Sequence, residues 1–335
     1  MQKQLLLGVE AIAQGAIDSG ISGVYAYPGT PSTEITEYIQ NSKEAIARNV
    51  HRAWAANEKT AMESALGMSY AGKRALVCMK HVGMNVAADC FMNAAITGAN
   101  GGLVVTAADD PSMHSSQNEQ DSRVYGKFAF VPVLEPSNQQ EAYDMVQAAF
   151  DFSEKYRIPV LMRLTTRMAH SRAVVEVAGV RAENECSYPA QTRQWVLMPG
   201  NSRVRYNTLL DDYARFETEA AESRFNRYTD APDKSVGIIA CGIAHNYLTE
   251  NYPDGCPHPV LKISQYPLPA SLVRRMASEC GSLLIIEEGQ PVVEQAVRGI
   301  LPAPLDIRGR MTGQLPRTGE LTPDSVRAAL GLAPH

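Results

Sequence analysis

The chain has 335 residues, 45% hydrophobic and 20% charged, with a formal net charge of −5 at pH 7. That length suits two α/β domains rather than one core, and the mildly acidic balance argues against a nucleic-acid or anionic-membrane surface. The apolar stretch at the N-terminus is too short for a signal peptide, and no later run approaches the roughly 18 apolar residues of a membrane span.

In chain order, the spacing of apolar residues predicts a helix over 10–19, then a short strand over 24–27 that ends in a Pro-Gly turn. A helix restarts over 32–39, with Ser32 as its expected N-cap. Asn57 is placed to cap a further helix rich in small residues, with Glu58 in its first turn and Ala61, Ala65 and Met68 on one face. Residues 75–79 read as a buried strand, 80–85 as a loop and 86–97 as a helix. A second buried strand covers 102–107 and runs into a long polar loop that reaches Asp121. A long amphipathic helix over 139–156 precedes a strand over 159–165. Continuous rather than alternating apolar strands, separated by helices, imply a parallel sheet covered on both faces.

Residues 184–234 break this pattern: they are polar and rich in Arg, Glu and Tyr, with charged helical spacing over 211–227. They read as a connector. A second α/β unit over 235–335 follows, with strands at 236–241, 260–263 and 283–286 and helices at 272–278, 292–298 and 324–330. The expectation is therefore two doubly wound parallel-sheet domains, 1–183 and 235–335, joined by 184–234. The six cysteines, Cys78, Cys90, Cys186, Cys241, Cys256 and Cys280, are far apart and form no C-x-x-C pair. They offer no zinc or iron–sulfur ligand set, and reduced thiols of a cytoplasmic protein are expected.

Loops at the carboxyl ends of such strands are the default ligand sites. Tyr27-Pro28-Gly29-Thr30-Pro31-Ser32 has a backbone restricted by two prolines and a hydroxyl at Thr30, but reads equally as a plain strand–turn–helix joint. Glu58 is either a functional carboxylate or a first-turn residue favoured by the helix dipole. His81, with Gly83 permitting close backbone approach, either contacts a ligand or is an ordinary loop histidine. His114, Gln117 and Asn118 either line a polar pocket or belong to a solvated loop.

The stretches YPGTPSTEI, NEKTAMESALGMSYAGKRALVCMKHVGMNVAAD, GGLVVTAADDPSMHSSQNEQDSR and RIPVLMRLTTRMAHSR, with LLIIEEGQPVVE near the C-terminus, make the next step specific. Over nearly its whole length the sequence resembles the α subunit of indolepyruvate:ferredoxin oxidoreductases, within the thiamine-diphosphate-dependent 2-oxoacid:acceptor oxidoreductases. The resemblance implies a pyrimidine-binding domain followed by a transketolase C-terminal-like domain. It implies that Glu58 is the catalytic carboxylate, hydrogen-bonded to the cofactor's pyrimidine ring nitrogen so that the thiazolium C2 proton can leave. Pro28, Gly29, Gly83 and Asn85 would complete the cofactor contacts. Thr30 would lie beside the substrate's carboxylate, with His81, His114 and Gln117 in substrate contact.

The implied reaction is oxidative decarboxylation of a 2-oxo acid, aryl in the manner of indolepyruvate or phenylglyoxylate. Its products are an acyl-coenzyme A and electrons for iron–sulfur clusters and ferredoxin. The sequence departs from the pattern by having neither a Gly-Asp-Gly…Asn magnesium signature nor clustered cysteines; its one Asp-Gly, Asp254-Gly255, reads as a turn. No metal ligand is therefore expected on this chain. Mg²⁺ and iron–sulfur clusters are expected on partner chains, a diphosphate-binding subunit and a ferredoxin-like subunit, in a dimer of hetero-oligomers. A non-redox thiamine-diphosphate decarboxylase with split domains is the alternative reading, and the second α/β unit argues against it.

Overall fold

The computed structural model describes residues 2–189, 192–301 and 305–334. Contacts divide the chain into two units: residues up to Asp110 with Ser122–Ala214, and Pro111–Asp121 with Arg215 onward. The stretch expected as a connector is shared between them, and residues 190–191 within it lie outside the described residues.

The first unit opens with β1 (Gln2–Leu7) and α1 (Gly8–Asp18), then β2 (Gly23–Ala26), α2 (Thr33–Asn41), α3 (Lys43–Ala47) and β3 (His51–Trp54). It continues through α4 (Glu58–Tyr70), β4 (Ala75–Lys80), α5 (His81–Thr97), β5 (Leu103–Asp109), α6 (Arg123–Ala129) and β6 (Val133–Leu134). α7 (Gln139–Tyr156), β7 (Val160–Thr165), α8 (Thr166–His170) and β8 (Arg172–Val177) follow. Six of these strands lie side by side in the order β6-β7-β5-β4-β2-β3, every neighbouring pair parallel. β4, β5 and β7 are buried along their whole length, as their unbroken apolar runs predict. Right-handed crossovers put α4 and α5, which pack on each other, on one face and α2 on the other, beside α1 and α7.

Strand order places the switch point. From β2 the chain first adds β3 on one side and then returns to add β4 on the other. The carboxyl ends of β2 and β4 therefore flank the crevice where open α/β sheets bind ligands. A feature not expected from the sequence is a two-stranded antiparallel ribbon, β1 with β8, in register from Gln2↔Val177 to Leu7↔Arg172.

α9 (Pro199–Glu222) starts in the first unit and ends in the second. It buries Leu209, Phe216 and Ala220 although charge dominates its sequence. The second unit holds β9 (Arg227–Thr229), β10 (Gly237–Cys241), α10 (Ala244–Asn251), β11 (Val260–Ile263), the two-residue β12 (Gln265–Tyr266) and α11 (Ala270–Glu279). β13 (Ser282–Ile286), α12 (Val292–Ile300), β14 (Asp306–Arg308) and α13 (Pro323–Ala329) complete it. Its sheet runs β14-β13-β10-β11-β9, parallel except for β9, which closes the edge antiparallel to β11. The α/β class expected from the sequence holds in both units, with antiparallel pairing in the ribbon and at this edge strand.

Candidate active site

α4 begins where the cap chemistry predicts. Asn57 is extended and its side-chain oxygen accepts from the Thr60 backbone N–H at 2.9 Å. Glu58 is thus the first helical residue, and it is only 8% exposed. A surface first-turn glutamate would be solvated; this one is covered because α5 lies against it. A β-carbon built on Gly83 would stand 2.6 Å from Glu58 Cγ and 2.7 Å from its Oε1. Side chains do not approach so closely, so glycine at 83 is what lets the carboxylate occupy its place.

That placement corrects one expectation. Residues 80–85 are not a loop: Lys80 is the extended N-cap residue, and α5 starts at His81. Glycine is a poor helix former, which makes the first turn of α5 look like a break in the sequence. His81 is fully buried in the first turn, and Asn85 is exposed one turn later, accepting a short hydrogen bond from the Tyr125 hydroxyl of α6.

The loop after β2 is tied to itself. The Gly29 N–H donates to Thr33 Oγ1 (2.8 Å), and both the Ser32 N–H (2.8 Å) and the Ser32 hydroxyl (2.7 Å) donate to the Gly29 carbonyl. Ser32 therefore holds the expected N-cap position of α2 but uses its hydroxyl to close the loop behind it. Pro28 and Thr30 are exposed on this rigid loop, at the β2 side of the switch point. Gly29 rests on the stem of Lys80, whose Cβ would be 3.1 Å from a β-carbon there.

His114 and Gln117, both exposed, fall in the segment that groups with the second unit. There His114 Nε2 lies 3.6 Å from Glu320 Oε2, and the Ser112 hydroxyl accepts from the Glu320 N–H at 2.7 Å. The first unit brings together Pro28, Gly29 and Thr30 on one side of its switch point and His81 on the other. Glu58 is packed on Gly83.

Sequence reasoning missed a buried ionic lattice at the carboxyl ends of β5 and β7. Arg163, fully buried in β7, donates to Asp109 Oδ2 at 2.6 Å and to Glu135 Oε1 in a short bond, while Arg123 approaches Glu135 at 3.8 Å. Asp109 also accepts from the Ser122 hydroxyl (2.5 Å) and N–H (3.0 Å). Beside it, Lys80 Nζ lies 3.9 Å from Asp110 Oδ2, and Asp110 Oδ1 accepts from the Thr166 hydroxyl at 2.8 Å. Burial pushes the Lys80 ammonium below its ordinary pKa, with Asp110 opposing. The signal in the sequence was the abrupt change from the apolar run 75–79 to Lys80, and the charges Asp109, Asp110 and Arg163 in or beside strands.

Among the described residues, no group of three or more His, Cys, Asp or Glu side chains could hold a metal ion, and no helix is long and apolar enough to cross a membrane.

Comparison with known proteins shows the family. A family described as "Pyruvate flavodoxin/ferredoxin oxidoreductase, thiamine diP-bdg" matches residues 14–226. The chain is 42% identical over 344 aligned positions to the indolepyruvate oxidoreductase subunit IorA of Archaeoglobus fulgidus, covering 99% of this chain and 55% of that one. It thus spans about half the length of the curated relatives it matches. Among solved structures it is similar to a 2-oxoglutarate:ferredoxin oxidoreductase from Magnetococcus marinus, with a TM-score of 0.76 at 14% identity, covering 98% of this chain and 65% of that chain. It is also similar to a split-gene transketolase, with a TM-score of 0.59 at 16% identity over 97% of both chains. At those identities the two structures establish the fold alone.

Proposed function

The chain belongs to the pyruvate flavodoxin/ferredoxin oxidoreductase family of thiamine-diphosphate-binding proteins, and from that premise we propose that it supplies the pyrimidine side of the cofactor site in a 2-oxoacid:acceptor oxidoreductase. Its first unit is the pyrimidine-binding domain and its second a transketolase C-terminal-like domain. The substrate is a 2-oxo acid, aryl as in indolepyruvate, converted oxidatively to an acyl-coenzyme A with electrons leaving to iron–sulfur clusters and ferredoxin. The names of the relatives, indolepyruvate oxidoreductase foremost, support the redox reading over a plain decarboxylase.

The observation that carries this reading is the buried Glu58 carboxylate packed on Gly83. Glycine at 83, where any β-carbon would collide with Glu58, lets the buried carboxylate lie against α5, and a shielded carboxylate is the chemistry that fits a hydrogen bond to the aminopyrimidine's ring nitrogen. When bound, thiamine diphosphate supplies the nucleophilic carbon and the electron sink that decarboxylation needs. Glu58 holds the proton at the pyrimidine ring nitrogen. Pro28 and Gly29 shape the wall on the β2 side, and Gly83 and Asn85 that on the α5 side. Thr30, exposed on the loop after β2, presents its hydroxyl to the substrate's carboxylate.

In this reading a diphosphate-binding subunit with Mg²⁺ and a ferredoxin-like subunit with iron–sulfur clusters complete the enzyme, as a dimer of hetero-oligomers. All six cysteines are free thiols, which supports a reducing, cytoplasmic setting.

The test is Glu58→Gln in the assembled enzyme. General acid–base groups contribute about 10²–10⁴ in rate, so turnover and hydrogen–deuterium exchange at C2 of bound thiamine diphosphate should both fall by that order. Rates within a few-fold of the parent would sink the reading.

A further inference from the structure

We propose that the open edge of β1 is a docking site for an extended segment of a partner chain in which basic and apolar residues alternate. The site lies in the first unit, on the flank formed by β1, α1 and α2, and does not depend on the role given to Glu58.

β1 and β8 form a ribbon of two strands, so each has one side without a neighbouring strand. The side of β8 is tied down by α7. Gln140 accepts from the Glu176 N–H (2.8 Å) and donates to its carbonyl (3.2 Å), and the Ala178 N–H donates to the Tyr143 hydroxyl (2.6 Å). The Glu176 groups thus point away from β1. In an antiparallel pair its partner Lys3 then points its own N–H and C=O away from β8, as do Leu5 and Leu7 at every second position. The Leu7 N–H accordingly donates outward, to Glu10 Oε2 at 2.8 Å. The outward backbone groups of Lys3 and Leu5 meet no further segment among the described residues. Such a row of donors and acceptors is a template for one more strand, and a ribbon of two strands gains stability from a third.

The edge borders an acidic groove. About 1050 Å³ in volume, it reaches from β1, where Gln2 and Gln4 line it, to α2 and α3. Glu10, which takes the Leu7 N–H, lines it as well, so the outward groups of β1 face the groove. Its lining carries five carboxylic acids against one lysine, Lys43. Glu37 and Glu44 form no ion pair among the described residues. Carboxylates gathered along a groove without counter-ions favour an incoming cation.

Strand alternation then fixes the pattern of the occupant. On the outer face of the ribbon Leu5, 63% exposed, stands opposite Val174, 59% exposed. An added strand turns successive side chains to opposite faces. Its groove-side residues meet the carboxylates and are Lys or Arg; those between them extend the Leu5–Val174 pair and are Val, Ile or Leu. The β1 strand of a second copy does not fit, because Gln2, Gln4 and Leu6 would bring no positive charge to the groove.

The probe is a short, end-blocked, dye-labelled peptide of alternating lysine and valine, added to the full chain. Fluorescence anisotropy should show saturable binding that weakens as salt is raised. Amide hydrogen exchange should show Lys3 and Leu5 gaining protection, with Gln4 and Leu6, already paired inside the ribbon, unchanged. Leu5→Pro removes an outward N–H and no bond of the ribbon, so it should raise Kd about tenfold. Glu37→Gln combined with Glu44→Gln should raise it about threefold to tenfold. Should Leu5→Pro unfold the ribbon, exchange in the parent still decides. The proposal is overturned if the Lys3 and Leu5 amides stay unprotected, if both sets of variants bind like the parent, or if a peptide of the same composition in two blocks, lysines then valines, binds as tightly. A parent that is dimeric and becomes monomeric on Leu5→Pro assigns the edge to a second copy and overturns it as well.

Discussion

Glu58 and Gly83 are a matched pair: Oε1 of the glutamate lies 2.7 Å from where a β-carbon at 83 would stand, on a helix that otherwise gains from any side chain. The glycine weakens α5 by about 1 kcal/mol relative to alanine, so its presence there is explained by the carboxylate and not by the helix.

Gly83→Ala should therefore separate stability from activity. Helix propensity offsets the clash, and urea denaturation should find stability within about 1 kcal/mol of the parent. The carboxylate must swing aside, and a displacement of about 1 Å costs on the order of 10² in turnover. A variant that keeps full turnover, measured with the assembled enzyme, would show that Glu58 tolerates the shift and that the close approach is incidental.

The lattice around Arg163 should dominate the stability of the first unit. Arg163→Met strands the buried Asp109 and Glu135 carboxylates, and losing one partner of a buried pair costs about 3–5 kcal/mol. Adding Asp109→Asn and Glu135→Gln removes the stranded charges and should recover part of that loss, as read by chemical denaturation. If the triple variant is no more stable than Arg163→Met alone, hydrogen-bond geometry and not charge holds the lattice.

Asp18 gives a pH prediction. Burial raises its pKa above the ordinary 3.8, against opposing hydrogen bonds from Tyr143 and Gln14. In the window from 3.8 up to the raised folded value, the native state holds more protons than the unfolded chain. This group's contribution to stability is therefore greatest below 3.8 and is lost as pH rises through the folded value. Denaturation of the parent and of Asp18→Asn across pH 3.5–7 should show the parent losing ground relative to the variant as pH rises through about that window. A difference that stays constant, or grows the other way, contradicts the assignment.

The sequence by itself determined what depends on near neighbours along the chain. Unbroken apolar runs marked β4, β5 and β7, cap chemistry located Asn57 and hence Glu58, and long matching motifs named the family. The helix over 139–156 fell on α7 because its amphipathic period is local. Tertiary structure decided what depends on which segments meet. That the 80–85 stretch is the start of a helix follows from Glu58 filling the space that Gly83 leaves, a contact between residues 25 positions apart. The pairing of β1 with β8 and the balancing of Arg163 by Asp109 and Glu135 join residues distant in sequence, for which no local pattern exists. The same holds for the placing of the Gly29 loop on the stem of Lys80. A single charged residue at a strand end reads as a boundary in one dimension; only the strand order shows that this boundary lies at the crevice where a ligand can sit.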